Sequence, residues 1–223
     1  MLSDGWRDAR MFMKVLTIVC DISFPKGLEW LHTAGFVHPD LAARNCQVSS
    51  ENRVVIGDYG LGTQIYKDDY HWSSNIAIPL RWTAPETLHC TSSVIQILKV
   101  NESSNVWSWG VLAWEICEFG KLPYFELSDD EVISRVIIDK NYFLGMPTLQ
   151  CMSAKEELYK IMSSCWQADL EHRPGLSTII SCLENLLKTF NVSATPPRDD
   201  FESKWEQLGS RTNSEEDKRR KKN

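Results

Sequence analysis

Long apolar runs are absent from this chain. None approaches the roughly 18 residues that a membrane-spanning helix needs. Paired cysteines are absent too: seven of them, an odd number, are scattered with no C-x-x-C among them, which argues against a disulfide framework and against a zinc site. A reducing compartment fits that usage best, and the sequons at Asn101 and Asn191 are then idle matches. Positive charge is in deficit. Against 30 Asp and Glu there are 24 Lys and Arg, a formal net charge of −6, so no nucleic-acid partner is expected. The first residues show no basic segment followed by a long apolar one, so no signal-peptide pattern is visible. What is present is enough for a core: 223 residues, 43% hydrophobic, with nine tryptophans.

The chemistry-bearing stretch is His38-Pro39-Asp40-Leu41-Ala42-Ala43-Arg44-Asn45. A carboxylate can accept a proton from an attacking hydroxyl, and an Asn carbonyl oxygen can hold a hard cation such as Mg²⁺. Alone the pair says little, since Asp and Asn also populate turns for local reasons. Downstream, the β-like run Val54-Val55-Ile56 leads into Gly57-Asp58-Tyr59-Gly60, and Ala84-Pro85-Glu86 follows about 26 residues later.

In this order and spacing the three pieces resemble the protein kinases, whose signatures are H-R-D-L-x-x-x-N, D-F-G and A-P-E. The resemblance implies ATP and Mg²⁺ as cofactors and protein as substrate. It makes Asp40 the candidate base with Arg44 beside it in the catalytic loop, Asn45 and Asp58 the candidate metal ligands, and Gln47 a candidate contact to the nucleotide. Leu41-Ala42-Ala43-Arg44-Asn45 and Pro79-Leu80-Arg81-Trp82-Thr83-Ala84-Pro85-Glu86 look like the tyrosine-kinase group; Ala42 stands where Ser/Thr kinases usually carry Lys. More narrowly, Gly57-Asp58-Tyr59-Gly60, the long connection from Glu86 to Asn105-Val106-Trp107-Ser108, and Phe201-Glu202 with Trp205 resemble the lemur (apoptosis-associated) tyrosine kinases, some of which are associated with Ser/Thr activity. The likeness covers about residues 11–208.

Along the chain, residues 1–10 are polar and read as disordered or a remnant. Val15, Ile18, Val19 and Ile22 recur at helical spacing within a helix expected over about 11–32. Phe24-Pro25 interrupts it, either as a two-residue insertion that throws the apolar face out of phase or as a genuine kink. Cys46–Val48 and Arg53–Ile56 read as a hairpin, and residues 58–86 as a long polar loop. Tyr66 and Tyr70 in that loop are either phosphorylation targets or tyrosines of a solvated segment. An irregular stretch then leads to an all-apolar helix, Asn105 to Ile116, which reads as buried and central. Gly120 is expected to cap it. Capping boxes at Ser128/Glu131 and Ser153/Glu156 open further helices, and a last one runs from about Ser177 to Thr189. Residues 191–223, ending in Lys218-Arg219-Arg220-Lys221-Lys222, read as a mostly disordered polar and basic tail, with Phe201 and Trp205 able to fold back as a short helix.

The expectation is therefore a protein-kinase-like fold over residues 11–190, the C-terminal lobe only, mainly α-helical with a small β-hairpin. No G-x-G-x-x-G loop, β3 Lys or helix-C Glu is visible ahead of it, so the chain alone is expected to turn over negligibly and to expose apolar surface. Pro39 replaces the Arg of H-R-D, which normally pairs with a loop phosphate, so little activation by loop phosphorylation is expected. Gln47 puts an amide where an apolar residue usually lies under adenine. Asn105 stands in for a bracing Asp, and Arg173 is expected to pair with Glu86. The location implied is cytoplasmic, or the cytosolic face of a membrane if a further N-terminal region anchors the protein. Two other readings stay open: a non-catalytic, pseudokinase-like binding module, and an adaptor driven by the tail.

Overall fold

The computed structural model describes residues 19–49, 53–57, 59–60, 62–91, 95–148 and 152–190. Residues 1–18 and the tail from 191, with Phe201, Trp205 and the basic run, lie outside them. Of the helix expected over about 11–32, residues 11–18 lie outside the described residues, and the part that follows is broken. Val19 is helical, the chain turns through Cys20–Ile22, and helix α1 (Ser23–Thr33) begins anew. Pro25 thereby stands in the first turn of α1, where its missing N–H has no intrahelical acceptor to lose. Asp21 ties the break down: its carboxylate accepts from the Ser23 N–H (3.0 Å), the Ser23 hydroxyl (2.6 Å) and the Val54 N–H (2.8 Å). Phe24, Pro25 and Leu28 are all buried. The residues that upset the phase are core residues.

Strand β1 (Cys46–Val48) pairs antiparallel with β2 (Val54–Ile56), with Gln47 opposite Val55. The turn between them, 50–52, lies outside the described residues. The segment expected to be loop contains a helical turn, α2 (Gly62–Ile65), and a second hairpin, β3 (His71–Ser73) with β4 (Ile76–Ile78). A third hairpin, β5 (Leu88–Cys90) with β6 (Ile95–Ile97), occupies the stretch expected to be irregular. The described residues thus form three two-stranded sheets where one hairpin was expected. Strands of three residues are too short to display the period-2 alternation that would announce them.

Helix α3 (Glu102–Cys117) starts a turn earlier than expected, because Asn101 and Ser104 cap it reciprocally (2.9 and 3.0 Å). A box with Ser at its third position hides from a search for Glu or Gln there. Every residue from Ser104 to Glu115 is buried. At its far end the Gly120 N–H reaches the Glu115 carbonyl (2.8 Å) and the Phe119 N–H that of Ile116 (3.1 Å). The first left-handed residue is Phe119 (φ 57°), with Gly120 (φ 77°) behind it.

Helix α4 (Asp129–Val132) opens on the expected Ser128/Glu131 box and continues as a π-helix through Ile133–Ile138. Helix α5 (Met152–Cys165) already includes Ser153, so that residue does not precede it. Helix α6 (Leu176–Thr189) buries Leu176, Ile179, Ile180, Leu183 and Leu186, the face its spacing required. α3 packs on α5, and α1 on α6 and β2. The α3–α5 contact depends on Gly110, whose added Cβ would lie 2.7 Å from Trp166 Nε1.

Candidate active site

The segment carrying Asp40 hangs from the buried helix α3 by one amide. Asn105 Oδ1 accepts from the His38 N–H (2.9 Å) while its Nδ2 donates to the His38 carbonyl (2.7 Å). The His38 ring extends the brace. Its Nδ1 accepts from the Asp40 N–H (3.2 Å), so its proton sits on Nε2, which faces the Gly57 carbonyl (3.3 Å). Burial depresses its pKa and keeps the ring neutral.

Glu115 supports the segment from below. It stands in an otherwise apolar run of α3 and accepts from the Ala43 N–H (3.0 Å) and from Trp82 Nε1 (2.8 Å). Burial pushes its carboxyl up to about 7, against the opposing pull of those two bonds and of Arg44. The Arg44 guanidinium lies between two rings, 4.4 Å from the centre of Tyr70 and 4.3 Å from that of Trp82.

Asp40 is the convergence point. Arg44 Nη2 pairs with its Oδ1, while the Tyr70 hydroxyl (2.6 Å) and Asn45 Nδ2 (2.8 Å) both donate to Oδ2. Asn45 Nδ2 also donates to the Asp40 carbonyl (2.7 Å), which turns Asn45 Oδ1 away from Asp40 and toward Gly62. That oxygen lies beside the buried notch at Gly62, and an amide oxygen is of the type that Mg²⁺ accepts. Of the two candidate metal ligands, Asn45 is the one that lies among the described residues.

Of the residues singled out from sequence, Asp40, Arg44 and Asn45 form one cluster. Gln47 does not join it. It lies exposed on β1 opposite Val55, with Val48 and Val55 exposed beside it. Asp58 lies outside the described residues; next to it, Gly57 donates to the Asn45 carbonyl (2.8 Å). Among the described residues no group of three or more His, Cys, Asp or Glu could hold a metal by itself. Sequence reading overlooked Glu115, Gly62 and the contact of Tyr70 with Asp40. A lone carboxylate inside an apolar helix was a usable signal for the first, since it must find donors. The others depend on how a loop folds back and had none.

Residues 8–183 match the family model described as protein tyrosine and serine/threonine kinase. The chain is 39% identical over 178 residues to serine/threonine-protein kinase LMTK3 of Mus musculus, covering 79% of this chain and 12% of that protein. It is 34% identical over 192 residues to serine/threonine-protein kinase LMTK1 of Homo sapiens (86% and 14%). To tyrosine-protein kinase Btk of Drosophila melanogaster it is 36% identical over 177 residues (79% and 21%). The chain therefore spans between 12% and 21% of the length of these relatives.

Proposed function

The chain belongs to the protein kinase family, with lemur-kinase (LMTK) proteins among its relatives, and on that premise we propose that in its native setting it transfers the γ-phosphoryl group of ATP to protein hydroxyls, those of tyrosine first. The observation that carries this is the Asp40 carboxylate, braced by Arg44 and Asn45, with a tyrosine hydroxyl 2.6 Å away.

In this reading Asp40 Oδ2 takes the proton of the acceptor hydroxyl, and Arg44 holds the carboxylate in place through Oδ1. Asn45, together with Asp58, would hold the Mg²⁺ that supplies charge neutralisation on the phosphates when bound. Gln47 would lie at the nucleotide's base, where its amide packs less well than an apolar side chain. Residues 11–190 correspond to the helical C-terminal lobe of the family. The relatives' names divide between Ser/Thr and Tyr kinases; the reach of a tyrosine side chain to Asp40 favours tyrosine, with serine and threonine as the alternative acceptors. The cytoplasm, or the cytosolic face of a membrane, is the setting in which such a reaction would run. No helix among the described residues is long and apolar enough to cross a membrane.

A second reading, a binding module without catalysis, draws on Pro39, on Gln47 and on the fact that Tyr70 already fills the space at Asp40. The two separate in one experiment on the protein isolated from its native source. Mg-ATP binding and transfer from radiolabelled ATP are measured for wild type and Asp40→Asn, followed by phosphoamino-acid analysis of the product. Transfer that falls by about 100-fold or more on Asp40→Asn supports the kinase reading. A well-folded protein that binds no Mg-ATP establishes the module instead.

A further inference from the structure

Trp30 stands out from the helical bundle. Among the described residues of α1, α5 and α6 it is the one large apolar side chain left exposed, at 69%. α1 and α6 lie side by side and antiparallel. At one end Lys26 Nζ meets Glu184 Oε1 (3.9 Å); at the other, Thr33 lines a cavity of about 270 Å³ together with Gly175 and Leu176. Lys26 and Thr33 fall four residues before and three after Trp30, on its own face of α1. On α6 the positions one and two turns before Glu184 are Ser181 and Ser177, both exposed, so the side chains on that helix are small.

The chain's own continuation has the form to cover this face. α6 ends at Thr189 with Phe190 as its cap, at the end of the pair where α1 begins. Residues 191–196 lead to Pro197, and proline suits the first position of a helix. Asp199 and Asp200 are acids of the kind a first turn favours. Phe201, Trp205 and Leu208 then recur at i, i+4 and i+7, and Gly209 suits the end of such a helix. Helix–helix connections of about 2–8 residues join antiparallel neighbours in bundles. A helix joined to α6 in that way runs alongside α1 in the same direction. Its acidic first turn then arrives beside Lys26, whose side chain is 53% exposed, and Leu208 arrives near the cavity at Thr33. A second copy of the chain suits the face less well. A stable dimer buries about 800 Å² per partner, far more than one tryptophan offers, whereas a tethered segment binds at an effective concentration on the order of millimolar.

We propose that residues 197–208 form a further helix that docks within the same chain on the α1–α6 face, with Phe201, Trp205 and Leu208 turned toward Trp30. The kinase domain of this protein then extends past α6. The far end of the seat also reaches the catalytic segment: His32, which lines the same cavity, has its Nε2 3.1 Å from Asn105 Oδ1, the oxygen that holds the His38 N–H.

The test uses the full 223-residue chain in wild type and as Trp30→Ala, Trp205→Ala and Trp72→Ala, the last an exposed tryptophan on β3. Hydrogen exchange read by mass spectrometry is compared with that of a synthetic peptide of residues 195–210. Amides 201–208 should exchange at least about 100-fold more slowly in the chain than in the peptide, at any protein concentration. Trp30→Ala and Trp205→Ala should each cut that protection about 30-fold, the factor for uncovering one large apolar side chain. Trp72→Ala should leave it unchanged, and the amides of α3 should keep their protection throughout, which shows that the variants fold. A lysine-reactive crosslinker should join Lys204 to Lys26 within one chain, about tenfold less in Trp205→Ala. Peptide-like exchange of 201–208 in wild type overturns the proposal, as does protection that survives Trp30→Ala. Protection that rises with protein concentration overturns it too, since the occupant would then come from a second copy.

Discussion

Glu86 and Arg173, 87 residues apart in sequence, meet through two parallel N–H···O bonds of 2.6 and 2.8 Å. The Arg173 side chain is 1% exposed, and its other donors reach the Gln167 (2.8 Å) and Ser103 (3.0 Å) carbonyls. One guanidinium thus ties the Ala84-Pro85-Glu86 segment to the start of α3 and to the loop before α6.

Removing one member of a buried bidentate pair strands the other. Glu86→Gln or Arg173→Met should each lower unfolding stability by about 3 kcal/mol. Urea denaturation checks this through a fall in the midpoint with an unchanged slope. A double variant, Glu86→Gln with Arg173→Met, should lose clearly less than the sum of the two, because the second change strands nothing new.

Glu115 predicts a pH dependence of stability. Its folded pKa, about 7, lies above its ordinary 4.5 because burial disfavours the charge. Between those values the native state holds a proton that the unfolded state has released, so this group's contribution is fully present below about pH 4.5 and is lost as pH rises through about 7. The span corresponds to about 3 kcal/mol. Glu115→Gln should abolish that component while keeping an acceptor for Ala43 and Trp82. Denaturation midpoints of the two proteins, compared from acid to neutral pH, should converge toward the acid end; parallel curves would refute the assignment.

Asn105 uses both ends of its amide on His38. Restoring the acid that usually braces such loops should therefore destabilise this protein. In Asn105→Asp a carboxylate oxygen would face the His38 carbonyl at the present 2.7 Å. The expected loss is about 2 kcal/mol at neutral pH. It should shrink in acid, where a protonated Asp can donate again. Thermal unfolding at two pH values reads both effects.

Phe24 and Pro25 stand together in the first turn of α1, after the break, yet they should differ in what they contribute. Phe24→Ala should cost about 3 kcal/mol as a core truncation. Pro25→Ala should cost less than about 1 kcal/mol, because a first-turn proline forfeits no helical hydrogen bond. If Pro25→Ala instead stabilised the protein by several kcal/mol, the helix would be strained at this point rather than restarted. Chemical denaturation of both variants decides.

Much of this was legible in one dimension, for identifiable reasons. The apolar face of α6 follows from a period of about 3.6 residues sustained over several turns, and the continuous burial of α3 from a run that is apolar on every side. The Ser128/Glu131 box and the β1–β2 hairpin are local chemistry within a few residues. Asp40, Arg44 and Asn45 fall together because they lie within a single turn of chain. The other two hairpins escaped notice because each strand is three residues long. The start of α3 did so because its cap uses Ser in place of an acid.

The sequence by itself determined the family, the helical core and the cluster around Asp40, since each depends on the order and spacing of neighbouring residues. Only the tertiary structure decided that Tyr70 sits on Asp40, that Gly62 makes room for it, and that Glu115 holds the Asp40-bearing segment from beneath. Those contacts join residues between 8 and 72 positions apart. Their energy comes from excluding water around paired charges, and no local pattern records where a returning loop will come to rest.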